Sequence, residues 1–300
     1  MPKYGMVIDA SKCIGCDACF IACKDEYVGN DFTGYSAAQP DTLYGYYPGV
    51  TPTEAGVTNA KAWVMRGQNW INRSEVVRGT FPNVKQVNYP MLCLHCESCP
   101  LVTSSPNGAS YMRPDGIVLV DPNKAFAQTK LPSQCPYNVV FWNSIANIAQ
   151  KCTFCAHLVD QGKKPKCVDV CPLNVFTFGD LNDPNSDVAK LYAQGKAEAM
   201  HPEYGTKPKI FYIGLPKTFI MGKVVDAKTG AYLKGAAVSA SDGKGGQFST
   251  VVDLYGDFSL DGLIKGTTYT FTISLAGYKT FTQTGPLNSD TYLGDVQLSV

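Results

Sequence analysis

The last third of the chain alternates apolar and polar residues. Phe219–Val225, Ala237–Ala240, Phe248–Asp253, Asp257–Leu260, Thr268–Leu275 and Tyr292–Leu298 each carry a period of two, the spacing of a strand with one buried face. Turn residues separate them, at Asp226–Gly230, Asp242–Gly246, Gly256, Gly266 and Gly277. Short strands at such intervals predict a small antiparallel sandwich over 216–300. The preceding 215 residues show a different pattern. Tyr4–Asp9 reads as a short strand, and Ala109–Arg113 and Ile117–Val120 flank Asp115-Gly116, a hairpin signal. Residues 31–90 are an insertion, of which 31–62 reads as a long surface segment rich in Gly, Tyr, Pro and Asn. Trp63 and Trp70 behind it are expected to fill a small core, with Arg66, Arg73 and Arg78 alongside. No apolar run approaches the length of a membrane-spanning helix. The expected class is α+β over 1–215, followed by the all-β unit.

Charge narrows the function. The formal net charge is +1, without the basic surplus of a nucleic-acid binder. The first residues lack the apolar core of a signal peptide, so the expected location is the cytoplasm, or export together with a partner that carries the signal.

Cysteine decides the chemistry. All 12 cysteines lie between Cys13 and Cys171. Disulfide-rich domains are short and spread their cysteines through loops. Zinc uses C-x2-C half-sites, but Cys13, Cys16, Cys19 and Cys23 read C-x2-C-x2-C-x3-C, the iron–sulfur spacing. In two-cluster ferredoxins the fourth cysteine of that run ligates the other cluster. The remaining groups are Cys93, Cys96 and Cys99; Cys135 before Pro136; Cys152 and Cys155; and Cys167 and Cys171 before Pro172.

An internal repeat suggests how they combine. Val7-Ile8-Asp9-Ala10-Ser11-Lys12-Cys13 matches Leu119-Val120-Asp121-Pro122-Asn123-Lys124-Ala125 at an offset of 112. The offset puts Cys13, Cys16 and Cys19 on Ala125, Gln128 and Leu131, and Cys23 on Cys135. Likewise Cys171-Pro172-Leu173-Asn174 matches Ser105-Pro106-Asn107-Gly108. If three cysteines of one motif join the last of its partner, all four losses fall on one site. Three complete sets then remain: set A, Cys13, Cys16, Cys19 and Cys171; set B, Cys23, Cys152, Cys155 and Cys167; set C, Cys93, Cys96, Cys99 and Cys135. Set C needs a reshaped loop, because the matching spacing would place its third ligand at Leu101 rather than Cys99. His95 and His157 neighbour ligands, but the thiols already complete each set. His201 carries no signal. Lys163, Lys164 and Lys166 read as a solvated basic loop.

The motifs Cys93-x-His95-Cys96-Glu97, Cys135-Pro136-Tyr137, Lys151-Cys152-Thr153-x-Cys155-Ala156-His157-Leu158, Cys167-x3-Cys171-Pro172 and Gly205-Thr206-Lys207-Pro208 resemble the iron–sulfur subunits of the molybdopterin (dimethyl-sulfoxide-reductase) superfamily. The nearer resemblance is to small subunits of the pyrogallol–phloroglucinol transhydroxylase and resorcinol hydroxylase type. It implies twin ferredoxin-like domains with three [4Fe-4S] clusters and a transthyretin- or carboxypeptidase-regulatory-like C-terminal sandwich. It further implies a large partner subunit holding molybdenum on two pterin guanine dinucleotides and acting on polyhydroxylated aromatics. Set A would lie nearest that metal. No catalytic or substrate-binding residue is expected in this chain. The rival readings are a free-standing polyferredoxin and clusters acting only as structural staples.

Overall fold

The structure is a computed structural model describing residues 1–27, 70–80, 83–143 and 147–300. The expected surface segment 31–62, with Trp63 and Arg66, lies outside the described residues. The chain forms two compact units, Met1–Glu75 with Asn88–Leu215, and Val76–Val87 with Pro216–Val300.

The first unit is built on a four-stranded sheet of order β8-β1-β10-β9, with β1 Tyr4–Asp9, β8 Phe176–Asp180, β9 Glu198–Ala199 and β10 Ile210–Ile213. Strand β1 runs parallel to β10 and antiparallel to β8. Met6, Val7 and Ile8 are all 0% exposed, so both faces of β1 are covered. That explains a continuous apolar run without alternation. The described residues also form three two-stranded sheets: β2 Ile71–Thr80 with β3 Asn83–Leu92, β4 Ser110–Met112 with β5 Val118–Val120, and β6 Phe141–Asn143 with β7 Ile148–Gln150. The β4–β5 hairpin turns at Asp115-Gly116, as its sequence predicts, and Gly116 takes φ 87° there.

Helices are few and short. The ten-residue α1, Ala18–Tyr27, is the longest among the described residues, and several others are single turns. Segments this short are marginal alone and are held by packing. Tyr27 at the end of α1 is 2% exposed, and its ring lies 4.1 Å from that of Trp70. Trp70 is thus a core residue, as expected. No described helix is long and apolar enough to cross a membrane.

The second unit has two sheets, β14-β11-β17 and β13-β12-β15-β16. Its strands are β11 Thr218–Asp226, β12 Ala237–Ser241, β13 Gln247–Val251, β14 Asp257–Leu263, β15 Thr267–Ser274, β16 Phe281–Leu287 and β17 Thr291–Leu298. Val224, Val238, Phe258, Phe271 and Ile273 are buried between them. Two features differ from the expected antiparallel six-strand pattern. Strand β16 was not expected: it is an edge strand whose residues are mostly exposed, so nothing selects apolar alternation, and Pro286 is tolerated there. The β11–β17 pair is parallel, which the alternation of either strand cannot reveal. The tip of the β2–β3 hairpin also belongs to this unit. Arg78 donates to Asp290 Oδ1 (3.0 Å) and to the Lys217 carbonyl (2.7 Å), and Lys85 donates to Ser259 Oγ (2.7 Å) and pairs with Asp261.

Candidate metal centres

Strand β1 delivers the first cysteine loop. At its end Asp9 Oδ1 accepts the Ser11 amide (3.2 Å) and Oδ2 pairs with Lys12 Nζ (3.2 Å). The Cys13 amide then donates to the Ala10 carbonyl (3.1 Å). Asp121 repeats this device at the end of β5. Its Oδ1 accepts the amides of Asn123 (3.0 Å) and Lys124 (3.2 Å), and its Oδ2 lies 3.9 Å from Lys124 Nζ. The residue delivered there is Ala125.

A second regularity concerns the backbone. In the first C-x2-C pair of each of three motifs the residue before the second cysteine is left-handed: Gly15 (φ 71°), His95 (φ 46°) and Phe154 (φ 54°). For non-glycine residues this conformation is uncommon and carries strain. It folds the loop so that two sulfurs three residues apart line one space. Ala127, before Gln128, has the same conformation (φ 61°), although no thiol remains in that loop. At Gly15 glycine is doubly required, since a Cβ would stand 2.9 Å from Asn88 and 3.1 Å from Arg73.

The proline-bearing cysteines form a third group. Cys135-Pro136-Tyr137-Asn138 and Cys171-Pro172-Leu173-Asn174 each close with a left-handed asparagine, φ 53° and 49°, whose amide donates back to the cysteine carbonyl. The Val175 amide reaches Cys171 Sγ at 3.4 Å, and the Val139 amide bonds Cys135. Ser105-Pro106-Asn107-Gly108 shares only the left-handed fourth residue, Gly108 at φ 63°; Asn107 is left-handed too (φ 54°), and the amide that donates back is Ala109 to the Pro106 carbonyl (3.0 Å). There the Ser105 hydroxyl accepts the Ser110 amide (2.7 Å).

The twelve cysteines are all free thiols and line three cavities. Cys13, Cys16, Cys19 and Cys171 line one of about 400 Å³, together with Gly15 and Arg73. Cys23, Cys152, Cys155 and Cys167 line one of about 320 Å³, closed by Tyr27 and Trp70. Cys93, Cys96, Cys99 and Cys135 line one of about 310 Å³. Cys19 and Cys23 stand one turn apart on α1 yet face different cavities. Cys99 and Leu101 both line the third cavity, and Leu101 also packs with Ala109, Ala125 and Leu131.

Among the described residues no three His, Cys, Asp or Glu side chains converge on a single ion. Thiols that ring a space fit a polynuclear core held at its corners, not one tetrahedral zinc. The electrostatics agree. Burial, with neighbouring thiols adding to it, pushes Cys19 and Cys96 up to about 12, and burial drives Cys23 and Cys167 well above the ordinary thiol range. Thiolates this costly need metal charge beside them. After burial, Cys23 is raised by Cys155, Cys152 and Cys19, and Cys152 by Cys155 and Cys93. Cys19 and Cys23 share α1, and Phe154 stacks on His95 at 3.9 Å, so the cavity of Cys23 neighbours both others.

The positions expected to have lost ligands do not line these cavities. Ala125 and Leu131 are 0% and 2% exposed and pack with Leu101, Ala109, Val140 and Ala149. The histidines have other partners. His95 is 0% exposed, accepts the Val118 amide on Nδ1 (3.0 Å) and stacks on Phe154 at 3.9 Å. His157 meets Glu26 through Nε2 at 2.9 Å. His201 pairs with Glu203 at the surface. Lys166 of the basic loop also reaches Glu26, at 3.5 Å. Sequence reasoning missed two buried lysines, Lys151 (2% exposed) and Lys209 (6% exposed), because nothing in the spacing separates a buried lysine from a solvated one. It also missed the bonds that Tyr27 makes to Cys155 and Thr206 to Cys96.

Comparison with known proteins shows the family. A 4Fe-4S dicluster domain matches residues 84–181, and a carboxypeptidase regulatory-like domain matches 220–299. The pyrogallol hydroxytransferase small subunit of Pelobacter acidigallici is 35% identical over 92% of this chain and 92% of its own length. This chain belongs to that family. A sulfite dehydrogenase subunit of Allochromatium vinosum is 34% identical over 73% of this chain and 85% of its own length. The arsenate respiratory reductase iron–sulfur subunit ArrB of a Shewanella species is 29% identical over 70% of this chain and 96% of its own length. The family is that of the iron–sulfur, electron-transfer subunits of molybdopterin oxidoreductases, and such subunits work beside a catalytic partner.

Proposed function

We propose that this chain holds three [4Fe-4S] clusters, one in each set of thiols, and relays single electrons for a molybdenum bis-pterin subunit acting on polyhydroxylated aromatics. Set A is Cys13, Cys16, Cys19 and Cys171; set B is Cys23, Cys152, Cys155 and Cys167; set C is Cys93, Cys96, Cys99 and Cys135. The observation that carries this reading is the sorting of twelve thiols into three cavities of four, each drawing on distant parts of the sequence. The reading of the fold as twin ferredoxin-like halves draws support from the paired aspartate caps and from the left-handed residue shared by Gly15, His95, Phe154 and Ala127.

Each cluster, when bound, accepts and returns one electron, which divides two-electron chemistry in the partner into single steps. The protein's part is placement and environment. Backbone amides of Phe154 and Val175 point at Cys152 and Cys171, both at 3.4 Å, and such bonds to sulfur raise a cluster's potential. All of set B is buried, which excludes water from the middle site, whereas Cys16 of set A is exposed.

The test is iron content with EPR on single variants. The intact chain is expected to hold about 12 Fe. Cys13→Ser and Cys171→Ser should each abolish the same signal and leave the other two. If they abolish different signals, crossed ligation is wrong. Purification should yield a molybdenum-containing companion in one-to-one ratio; a lone chain would favour a free polyferredoxin.

A further inference from the structure

Lys151 precedes a ligand of set B yet takes no part in the thiol pattern. Its side chain is 2% exposed. Its Nζ donates to the carbonyls of Val118 and Cys152, the latter at 3.0 Å. Cys152 lines the set B cavity. Val118 leads to set C, because its amide donates to Nδ1 of His95 (3.0 Å), which lies between Cys93 and Cys96. The His95 ring in turn stacks on Phe154, 3.9 Å away at 14°, in the loop between Cys152 and Cys155. The ammonium is therefore tied to the backbones that carry both sets. Among the described residues no carboxylate pairs with it.

A buried ammonium held only by carbonyl dipoles is costly unless negative charge lies near it. A cubane bound by four thiolates is a net anion, and more so when reduced. Lys209 makes a useful contrast. It is also buried, donates to the Gly116 carbonyl (2.9 Å) through Nζ, and its amide donates to the carbonyl of Leu94 (3.0 Å), between Cys93 and Cys96 of set C.

We propose that Lys151 is a positioning residue for electron flow, a buried positive charge between sets B and C that raises the reduction potential of both clusters. This rests on the three-cluster reading above, and the experiment separates the two. Lys151→Met removes the charge, Lys151→Gln keeps a donor for the carbonyls, and Lys151→Arg keeps the charge. Each is purified as the holo complex, assayed for iron and titrated potentiometrically by EPR, with set A identified by its loss in Cys171→Ser. In Lys151→Met or Lys151→Gln, with iron still near 12 per chain, the oxidised-to-reduced ratio of sets B and C at fixed poise should rise about tenfold, or about 59 mV for one electron. Set A should move less, and Lys151→Arg should restore most of the shift. Lys209→Met should move set C and not set B. Unchanged potentials for either B or C in an iron-replete neutral variant overturn the inference. Iron near 8 or 16 in the unsubstituted chain instead overturns the cluster reading.

Discussion

At the scale of single residues, the centres depend as much on backbone conformation as on sulfur. Gly15 is the sharpest case. Gly15→Ala adds a Cβ at φ 71°, 2.9 Å from Asn88, on a loop that carries Cys13, Cys16 and Cys19. A left-handed alanine costs about 1–2 kcal/mol before any clash. The expected result is selective loss of one cluster, iron falling from about 12 to about 8 per chain with two EPR signals retained. Retention of all three signals would show that the loop can rearrange. His95 and Phe154 hold the same conformation against the ordinary preference of side chains, so their places at the second cysteine were not legible from residue type. The cysteines themselves were legible, because few other residues perform that chemistry and their spacing is short.

At the scale of elements, α1 and the loop after β11 show how local structure sets function and stability. Cys19 and Cys23 lie four residues apart on α1, stacked along one face about one helical turn apart, so adjacent cavities each receive one thiol. In the sandwich, Asp226 accepts the amides of Thr229 (2.7 Å) and Lys228 (2.9 Å) and the hydroxyls of Thr229 and Tyr278 (both 2.9 Å). The Thr229 amide bond leads in holding its carboxyl down at about 2, against an ordinary 3.8. Because the folded pKa is the lower one, this anchor is complete above the unfolded value and is lost as pH falls from about 4 through 2. Amide exchange at Lys228 and Thr229 should lose its protection across that interval and not above it; protection unchanged down to pH 2 would refute the assignment. The core between the sheets is a separate matter. Ile273 is 0% exposed, and Ile273→Ala should cost about 2–5 kcal/mol in an equilibrium unfolding measurement. Strand β16 escaped the sequence because an exposed edge strand has no buried face to impose alternation.

At the scale of the whole chain, contacts assign residues that are far apart in sequence to one compact unit. Val76–Val87 joins Pro216–Val300, where Arg78 meets Asp290 and Lys85 meets Ser259 and Asp261. Truncation after Leu215 removes all of these partners. We expect the truncated chain to become cleavable by protease within 76–87, while Arg78→Ala in the full chain weakens only one anchor and leaves the hairpin tip more resistant. Equal resistance of the truncated and full chains would show that the hairpin holds its tip unaided. The same principle orders the cavities. The one lined by Cys23 neighbours both others, because Cys23 shares α1 with Cys19 and because Phe154, between Cys152 and Cys155, stacks on His95, between Cys93 and Cys96.

By itself, the sequence determined the thiol inventory, the iron–sulfur spacing of its motifs and the two compositional regimes, and it offered the sets of four as an expectation. These follow from short-range spacing and from a repeat, both of which survive in a linear string. The tertiary structure alone decided which thiols enclose a common space, that Leu131 and Ala125 are buried in an apolar cluster, that β11 and β17 run parallel, and that Lys151 is buried beside Cys152. The physical reason is that burial and proximity are properties of residues brought together by folding. A lysine or leucine has the same letter whether it faces water or sulfur.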